Sequence, residues 1–542
     1  MTYASLRSEA RTLARKLLGM GLQKEDQVAI VAETNPDFLR FFFACQYAGL
    51  VPVPLPASMS LGGRSAYVTQ LRGLLESSRS TVIMAPSEYL SFVQEAGNNL
   101  DLRLIGDPAA FDRLPEPELA LPPAEPTAIA YIQYTSGSTR FPRGVVIRQY
   151  SVMSNLAGII SYGVKIGPGD RFVSWLPFYH DMGLVGQVLV PIAAQVSVDY
   201  LATRDFAKRP CQWLNLMTQS KATISFSPSF GYELCARRLR AGDVSKYDLS
   251  NWRVAGIGAE MIRPETLVRF AEVLKPAGFD ENAFLACYGM AECSLAISFA
   301  PLSEGYSVDL IDSDQLARQR KAVPVEASEN AGHTSGFVNC GYPLPEYDVE
   351  IRDDEDNALT DRHSGSIYVR GLSVMSGYFN APNETRATLS EDGWLDTGDV
   401  GYRVDGSLVI TGRKKDLIII NGRNIWPQDL EYLAEQQPKV RIGDALAFSI
   451  PNAHGEEICV LVVQCRESDV DQRIKLVDQL RYQVRLELGI DCYVELVPAH
   501  TLPRTSSGKL SRSKARQNFI ESQNSAKLTA QISYEPLRKA SA

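Results

Sequence analysis

The sequence has few of the residues that build metal sites and disulfide frameworks. It holds nine cysteines among 542 residues, and no two of them form a Cys-x-x-Cys pair. Its five histidines make no His-Glu-x-x-His motif. Neither a structural zinc site nor a disulfide-stapled secreted fold is therefore predicted, and we expect a reducing, cytoplasmic setting.

Long hydrophobic runs are missing too, since no apolar stretch reaches the length that crosses a bilayer. The first residues lack the basic-then-apolar order of a signal peptide and lead into an amphipathic helix with Leu6, Leu13, Leu17 and Leu18 on its apolar face. A formal net charge of -8 argues against nucleic acid as the main partner.

What the chain does have is a globular composition, 45% hydrophobic and 22% charged, over a length that predicts two or more lobes. Apolar runs at 28–31, 51–55 and 81–84 alternate with helical patterns at 36–49 and 67–78. This rhythm predicts an α/β fold with parallel sheets and outer helices.

The pattern changes in the second half of the chain. Residues 342–409 are turn-rich and predict a small distorted β-barrel or sheet. A charged break at 412–416 separates an N-terminal lobe, 1–411, from a module at 417–522 that reads β-α-β-β-α-β. We expect a small α+β C-terminal lobe there, followed by a polar tail at 523–542.

Two separated segments suit phosphate chemistry. The run Tyr134-Thr-Ser-Gly-Ser-Thr-Arg-Phe-Pro-Arg-Gly144 is dense in hydroxyl and amide donors, although no Gly-Lys-Ser/Thr makes it a Walker A loop. Far downstream, Lys509 follows Thr505-Ser-Ser-Gly508. Together they indicate nucleotide-dependent activation of a carboxylic acid. Taken singly, the first is compatible with an ordinary Ser/Gly turn and Lys509 with a solvated surface group.

The first run resembles the phosphate loop of the adenylate-forming superfamily, with Arg140 in place of a glycine and Arg143 in place of a lysine. The resemblance covers residues from about 3 to 516 and implies an acyl-CoA synthetase-like fold. It assigns ATP phosphate binding to the following positions of this chain: Thr135, Ser136, Gly137, Ser138, Thr139 and Arg143.

Further motifs follow in the family's order. Tyr288-Gly289-Met290-Ala291-Glu292 matches a segment that packs on adenine and holds Mg²⁺ through its glutamate. The resemblance also implies an adenine border at Gly258, Ala259 and Glu260, ribose binding by Asp399, and a second contact by Arg413. It also implies that Asp416 is the hinge residue and that the charged side chain of Lys509 bridges the acid's carboxylate and the α-phosphate.

Three features are similar to the fatty acyl-AMP ligase branch of that superfamily. The first is the run Trp175-Leu-Pro-Phe-Tyr-His-Asp-Met-Gly-Leu184, whose His180 is expected to border the acyl and phosphate site. The second is Ile419, which stands where acyl-CoA ligases usually carry a lysine. The third is the polar stretch 301–335, which resembles an insertion that restrains lobe rotation. Otherwise His180 is a packed core histidine and the stretch a surface loop.

The acyl chain is expected to lie against residues whose glycines leave room for it. These are Met182, Gly183, Phe226, Ser227, Pro228, Phe230 and Gly231. Plain core packing is the alternative for all of them. The branch also implies a leading segment before Thr2, which this sequence does not show.

The resemblance thus implies ATP- and Mg²⁺-dependent conversion of a medium- or long-chain fatty acid to acyl-adenylate and pyrophosphate. It further implies transfer to the phosphopantetheine of an acyl carrier protein, docked on a basic face formed by Lys509, Arg512, Lys514 and Arg516. Two alternatives remain, a fatty acyl-CoA ligase and a non-catalytic nucleotide-binding or scaffolding protein.

Overall fold

The computed structural model describes residues 1–57, 63–135, 142–239, 242–325, 334–420, 423–452, 457–505 and 509–525. The described residues form two compact units. The first comprises those within Met1–Ile311, Ala322–Glu326 and Ser335–Thr411, and the second those within Asp312–Lys321, Ala327–Thr334 and Gly412–Ala542. The α/β class predicted from the sequence is confirmed.

The described helices are numbered in chain order. They are α1 Tyr3–Gly19, α2 Pro36–Ala48, α3 Gly63–Ser78, α4 Ser87–Ala96, α5 Pro108–Asp112, α6 Gln149–Gly158, α7 Asp181–Leu184, α8 Val190–Ala194, α9 Thr203–Lys208, α10 Gln212–Ser220, α11 Ser229–Arg238, α12 Pro264–Leu274, α13 Ser313–Gln319, α14 Pro382–Arg386, α15 Pro427–Glu435, α16 Val470–Leu488 and α17 Arg512–Ser525. None of these described helices has the length and hydropathy of a membrane-spanning segment.

The strands of the first unit are numbered in the same way. They are β1 Gln27–Val31, β2 Val51–Leu55, β3 Val82–Met84, β4 Leu104–Gly106, β5 Ile129–Tyr134, β6 Gly144–Arg148, β7 Arg171–Ser174, β8 Ser197–Tyr200, β9 Ile224–Ser227, β10 Val254–Ile257, β11 Phe284–Gly289, β12 Ala296–Phe299, β13 Val308–Asp312, β14 Thr334–Val338, β15 Tyr342–Pro343, β16 Tyr347–Arg352, β17 Gly365–Gly371, β18 Gly377–Tyr378, β19 Leu395–Val404 and β20 Ser407–Arg413.

Two sheets carry the parallel strands of the first unit. One has the order β2-β1-β3-β4, with every pair parallel. The other has the order β15-β12-β11-β10-β9-β7-β8 and is parallel from β11 to β8. Inner strands such as β1 and β10 are almost wholly buried, as continuous apolar runs such as 28–31 predict for sheets covered on both faces.

Antiparallel strands make up the remaining sheets of this unit. Strands β5, β6 and β18 form one sheet, and β16-β17-β19-β20 form another. The β-rich region predicted at 342–409 is therefore present. Four of its described strands form the β16-β17-β19-β20 sheet, which is the second of the two predicted forms.

The second unit contains a hairpin of β21 Ile418–Ile420 and β22 Arg423–Ile425 and a three-stranded sheet. That sheet joins β23 Ala445–Pro451, β24 Glu457–Gln464 and β25 Cys492–Val497 in this order. Helices α15 and α16 cover one face, and α17 covers the other. The predicted β-α-β-β-α-β order is thus present, with the hairpin as its first strand and α17 added at the end.

Residues 312–321 leave the first unit and join the second. Helix α13 lies within this excursion and packs against β22. In the first unit, at the base of the excursion, the carboxylate of Asp309 accepts hydrogen bonds from Arg362 at 3.1 Å and from the Tyr402 hydroxyl at 2.7 Å. The sequence marked this stretch as an insertion but did not indicate these anchors.

Candidate functional site

The candidate residues of the first unit follow the carboxyl ends of neighbouring parallel strands. Strands β7, β9, β10 and β11 are adjacent in one sheet, and Ser227, Ile257 and Ala286 are paired in register across three of them. The segments 175–184, 228–231, 258–260 and 290–292 come directly after these strands. Open parallel sheets bind ligands in the crevice at this edge, so separate sequence motifs are brought to one place.

Tyr288 and Asp399 are joined directly. The Tyr288 hydroxyl donates a 2.7 Å hydrogen bond to Asp399 Oδ2, and the carboxylate is almost fully buried. Burial, reinforced by the charge of Asp399, raises the pKa of Tyr288 well above its ordinary value, so the phenol stays protonated and keeps donating. The predicted adenine-side tyrosine therefore orients the predicted ribose-binding carboxylate.

A second group brings together Arg143, Tyr378 and Glu292. The Tyr378 hydroxyl donates a 2.9 Å hydrogen bond to Glu292 Oε1, and the guanidinium carbon of Arg143 lies 5.1 Å from the centre of the Tyr378 ring. Burial and the Glu292 charge raise the pKa of Tyr378. The ring thus links the predicted phosphate-binding arginine with the predicted metal-binding glutamate.

Tyr378 was missed by the sequence analysis. It lies in β18, which pairs with β6 through Tyr378 and Val145, and the Met375 amide donates to the backbone oxygen of Glu292 at 2.7 Å. A Gly-Tyr pair far from either partner carries no local signal for such a role. Only the antiparallel pairing of β18 with the strand after the hydroxyl-rich run reveals it.

The hydroxyl-rich run lies between two paired strands. Tyr134 pairs with Gly144, and the amide of Thr135 donates to the backbone oxygen of Arg143 at 3.0 Å. The two ends of the run are therefore held side by side. The other predicted phosphate contacts, Ser136, Gly137, Ser138 and Thr139, lie outside the described residues.

The segment after β10 has a structural part in the site. Glu260 Oε1 accepts a 2.9 Å hydrogen bond from the backbone amide of Phe230, in the first turn of α11. Ala259 has φ +68, a left-handed conformation that is uncommon for residues other than glycine. The Glu260 carboxylate therefore caps α11 and fixes its start beside β10, a function that the sequence did not predict.

His180 directly precedes α7, after β7. Its Nδ1 lies 2.5 Å from Asp181 Oδ1, and both side chains are largely buried. The same Asp181 oxygen accepts a hydrogen bond from the Met182 amide at 2.7 Å, which holds the carboxylate at the helix start. Asp181 thus orients the imidazole, as carboxylates commonly do for functional histidines.

The predicted acyl-pocket residues Met182, Phe226, Ser227 and Pro228 are buried, and Phe230 is partly buried. Buried Gly183 and Gly231 do not leave open space, which corrects the expectation drawn from the sequence. A Cβ at Gly183 would lie 2.1 Å from Pro177 O, and one at Gly231 would lie 2.0 Å from Ser227 Oγ. Both glycines are required by close packing of the chain against itself.

The remaining candidates belong to the second unit. Arg413 is the last residue of β20, and Asp416 lies in the turn before β21. Lys509 is partly buried, and its carbonyl accepts a 2.8 Å hydrogen bond from the Thr505 amide. Leu510 pairs with Arg504, so the two flanks of the lysine segment form a short antiparallel ladder.

The predicted basic face is smaller than the sequence suggests. Arg512 Nη2 lies 2.8 Å from Glu431 Oε2, and Arg512 Nη1 lies 3.4 Å from Asp416 Oδ2. Its side chain is only 20% exposed, so it is an internal ion-pair partner rather than part of a docking surface. Lys514 and Arg516 are exposed on α17.

The donor set fits Mg²⁺ held jointly by protein and nucleotide. Among the described residues there is no group of three or more His, Cys, Asp or Glu that forms a protein-only metal cage. Glu292 supplies one oriented carboxylate beside the cationic Arg143, through Tyr378. Mg²⁺ is typically held by one or two carboxylates together with substrate phosphates and waters, which suits this arrangement.

The comparison with known families agrees with this geometry. The family described as AMP-binding enzyme matches residues 1–379, which includes Arg143, Glu292 and Tyr378. The chain belongs to the AMP-binding enzyme family. It is therefore an ATP-dependent ligase that forms acyl-adenylates, which excludes the non-catalytic scaffold.

Two relatives cover almost the whole chain. A Caulobacter vibrioides protein named "Putative acyl-CoA synthetase" is 47% identical over 522 residues, which are 96% of this chain and 90% of that protein. The medium-chain-fatty-acid–[acyl-carrier-protein] ligase JamA of Moorena producens is 30% identical over 548 residues, 96% of this chain and 90% of JamA.

Among solved structures, one from a study of fatty acyl-adenylate ligases of E. coli and L. pneumophila superposes with a TM-score of 0.91 at 47% identity. The match covers 97% of this chain and 93% of the chain in that structure. The relatives of this AMP-binding enzyme thus include fatty acyl-AMP ligases, as the sequence motifs predict.

Proposed function

We propose that the protein activates a medium- or long-chain fatty acid as its adenylate and passes the acyl group to the phosphopantetheine thiol of an acyl carrier protein. The observation that carries the proposal is the pair of groups at the strand ends, Tyr288–Asp399 and Arg143–Tyr378–Glu292. The first suits a nucleoside, and the second suits its phosphates.

In the first step a carboxylate oxygen of the fatty acid attacks the α-phosphorus of ATP, and the bond to the bridging oxygen of the β-phosphate breaks. Acyl-AMP and pyrophosphate leave without a protein nucleophile. Catalysis then consists of alignment and charge stabilisation. Arg143 and Lys509 supply positive charge, and Asp399 holds the ribose through its hydroxyls.

Glu292, oriented by Tyr378, is the residue that would hold Mg²⁺, whose charge neutralises the phosphate oxygens when the ion is bound. His180, held by Asp181, is assigned to the region where the carboxylate meets the phosphate. Because Nδ1 contacts Asp181, Nε2 is the ring nitrogen assigned to the oxygens whose charge grows during the attack.

In the second step the phosphopantetheine sulfur attacks the acyl carbonyl carbon, AMP leaves, and the thiol proton passes to solvent. Turning of the C-terminal lobe about Asp416 removes Lys509 and admits the thiol. Exposed Lys514 and Arg516 on α17 provide the positive charge that suits an acidic carrier protein. Nine unpaired thiols suit a cytoplasmic enzyme.

Two features of the chain and one relative support a carrier protein over coenzyme A as acceptor. Helix α13 of the excursion packs against β22 of the second unit, which suits an element that limits rotation of the C-terminal lobe. Ile419, 52% exposed on β21, brings no charge to bind the phosphates of coenzyme A. JamA, an acyl-carrier-protein ligase by name, is a relative over most of its length.

A fatty acyl-CoA ligase is the second candidate, favoured by the name of the 47% identical Caulobacter protein. Pyrophosphate–ATP exchange with fatty acids of increasing length tests the first step. Acyl release to coenzyme A and to a panel of phosphopantetheinylated carrier proteins then tests the second. We expect pyrophosphate exchange with fatty acids, and acyl transfer to a carrier protein but not to coenzyme A. Fast acyl-CoA formation would support the fatty acyl-CoA ligase. No exchange with any fatty acid would refute the proposed substrate class.

A further inference from the structure

Arg512 lies three residues after Lys509, at the first position of α17, and turns its side chain into the second unit. Its Nε donates to Glu431 Oε1 at 3.2 Å, and its Nη2 contacts both Glu431 oxygens at 2.8 Å. Such a forked contact fixes the orientation of both side chains as well as their distance.

The carboxylate that holds Arg512 is itself fixed. Glu431 lies in α15, its side chain is only 2% exposed, and its Oε1 also accepts a 3.0 Å hydrogen bond from the backbone amide of Ala447 in β23. A buried carboxylate that accepts hydrogen bonds from a strand and from an arginine is held in one position. Arg512 therefore joins the start of α17 to a rigid part of the unit.

The same guanidinium reaches the residue assigned as the hinge. Arg512 Nη1 lies 3.4 Å from Asp416 Oδ2, and the two side chains are 20% and 19% exposed. Because the pair is partly buried, dissolved salt screens its attraction less than it would for a surface pair. Arg512 thus connects Asp416, Glu431 and the first turn of α17 through one rigid planar group.

The backbone between Arg512 and Lys509 is short and paired. Ser511 N donates to Pro503 O at 2.9 Å, Leu510 pairs with Arg504, and Thr505 N donates to Lys509 O at 2.8 Å. Any displacement of Arg512 should therefore displace the Lys509 backbone as well.

We propose that Arg512 is a positioning residue for the adenylation step, because by holding Glu431 and Asp416 it fixes Lys509 on the second unit and makes it follow the hinge. This inference rests on the proposed role of Lys509. It gives Arg512 no contact with substrate, and it replaces the docking role that its position in the sequence suggested.

The test compares Arg512→Gln, Arg512→Lys and the control Arg485→Gln, which removes an arginine that contacts Asp491 on the exposed side of α16. We expect Arg512→Gln to lower kcat for acyl-adenylate formation about 10- to 100-fold, the scale of a displacement near 1 Å. The KM for ATP and acyl transfer from supplied acyl-adenylate should stay near wild type. Arg512→Lys should recover part of kcat, and Arg485→Gln should change nothing. An equal fall in both half-reactions would overturn the proposal.

Misfolding is controlled with Arg512→Gln/Glu431→Gln, which removes both charges of the buried Arg512–Glu431 pair and leaves the 19% exposed Asp416 without its contact to Arg512. Its unfolding temperature should return toward wild type while kcat for adenylation stays low. Recovery of both would show that Arg512 only stabilises the fold and would overturn the positioning role.

A double-mutant cycle with Lys509→Ala separates this inference from the proposed function. If Arg512 acts through Lys509, adding Arg512→Gln to Lys509→Ala costs little further activity. Additive losses would refute the positioning role alone. Unchanged adenylation in Lys509→Ala itself would refute the proposed mechanism, and the inference with it.

Discussion

Replacing Tyr378 by phenylalanine removes one hydroxyl from the candidate phosphate site and leaves the packing of the ring in place. The hydroxyl donates a 2.9 Å hydrogen bond to Glu292 Oε1 and also interacts with Arg143, whose guanidinium carbon lies 5.1 Å from the centre of the ring. Phenylalanine keeps the ring and therefore keeps the cation–π contact. The substitution thus removes the hydroxyl that orients the Glu292 carboxylate and keeps the ring beside Arg143.

A hydrogen bond to a charged group contributes about 1.5–3 kcal/mol. If that energy orients Glu292 for Mg²⁺ and ATP, its loss corresponds to a fall of about 10- to 150-fold in kcat/KM for ATP, since ~1.4 kcal/mol is a factor of ten. The pyrophosphate–ATP exchange assay, run over a series of Mg²⁺ concentrations, measures it. We expect the half-saturating Mg²⁺ concentration to rise.

Tyr89→Phe is the matched control. Its hydroxyl hydrogen is shared between Glu33 Oε2 at 2.9 Å and Ala57 O at 2.8 Å, just beyond the ends of β1 and β2 in the four-stranded parallel sheet. This variant should lose comparable stability in chemical denaturation but keep wild-type exchange. Exchange by Tyr378→Phe within twofold of wild type at every Mg²⁺ concentration would refute the assignment of Glu292.

Three further outcomes are expected. Burial and the charge of Glu431 raise the pKa of Asp429 to about 7, so ionisation of Asp429 disfavours the folded state. Asp429→Asn should therefore raise the free energy of unfolding in urea titrations. The gain should grow from pH 4 to pH 7 and then level off, at about 4 kcal/mol at most. Lys514→Glu with Arg516→Glu should slow acyl transfer to a carrier protein several-fold and spare pyrophosphate exchange; equal loss of both would exclude docking there. Leu316→Arg, in the buried face of α13, should raise acyl-CoA formation measured by thioester release, and unchanged formation would argue against a restraining excursion.

The sequence predicted the layout well because its signals there are local. Period and composition located the strands at 28–31 and 51–55 and the helix beginning at Pro36, where Asn35 caps the first turn. The motifs at Tyr288 and Asp399 were found because each is compact in sequence. That a hydrogen bond joins them follows only from the fold.

Predictions failed where a residue's environment decides its role. The glycines at 183 and 231 were expected to make room for a ligand, and instead they accommodate Pro177 and Ser227. The sequence also gave no sign that the Glu260 carboxylate caps α11, while its expected place beside adenine stays a prediction. In each case the residue in contact comes from another part of the fold or from a tight local turn. Neither periodicity nor composition indicates which residues come into contact in this way.

The same limit explains why two arginines that look alike in the sequence differ in chemistry. Arg143 stacks on the ring of Tyr378, and a cation–π contact leaves the formal charge of the guanidinium in place. Arg512 binds a buried carboxylate, whose negative charge offsets that of the guanidinium. A phosphate approaching Arg143 thus meets a cation already oriented by an aromatic surface, whereas one approaching Arg512 would have to compete with Glu431. Partner chemistry, rather than residue type, therefore separates the arginine suited to a nucleotide from the arginine that holds the fold.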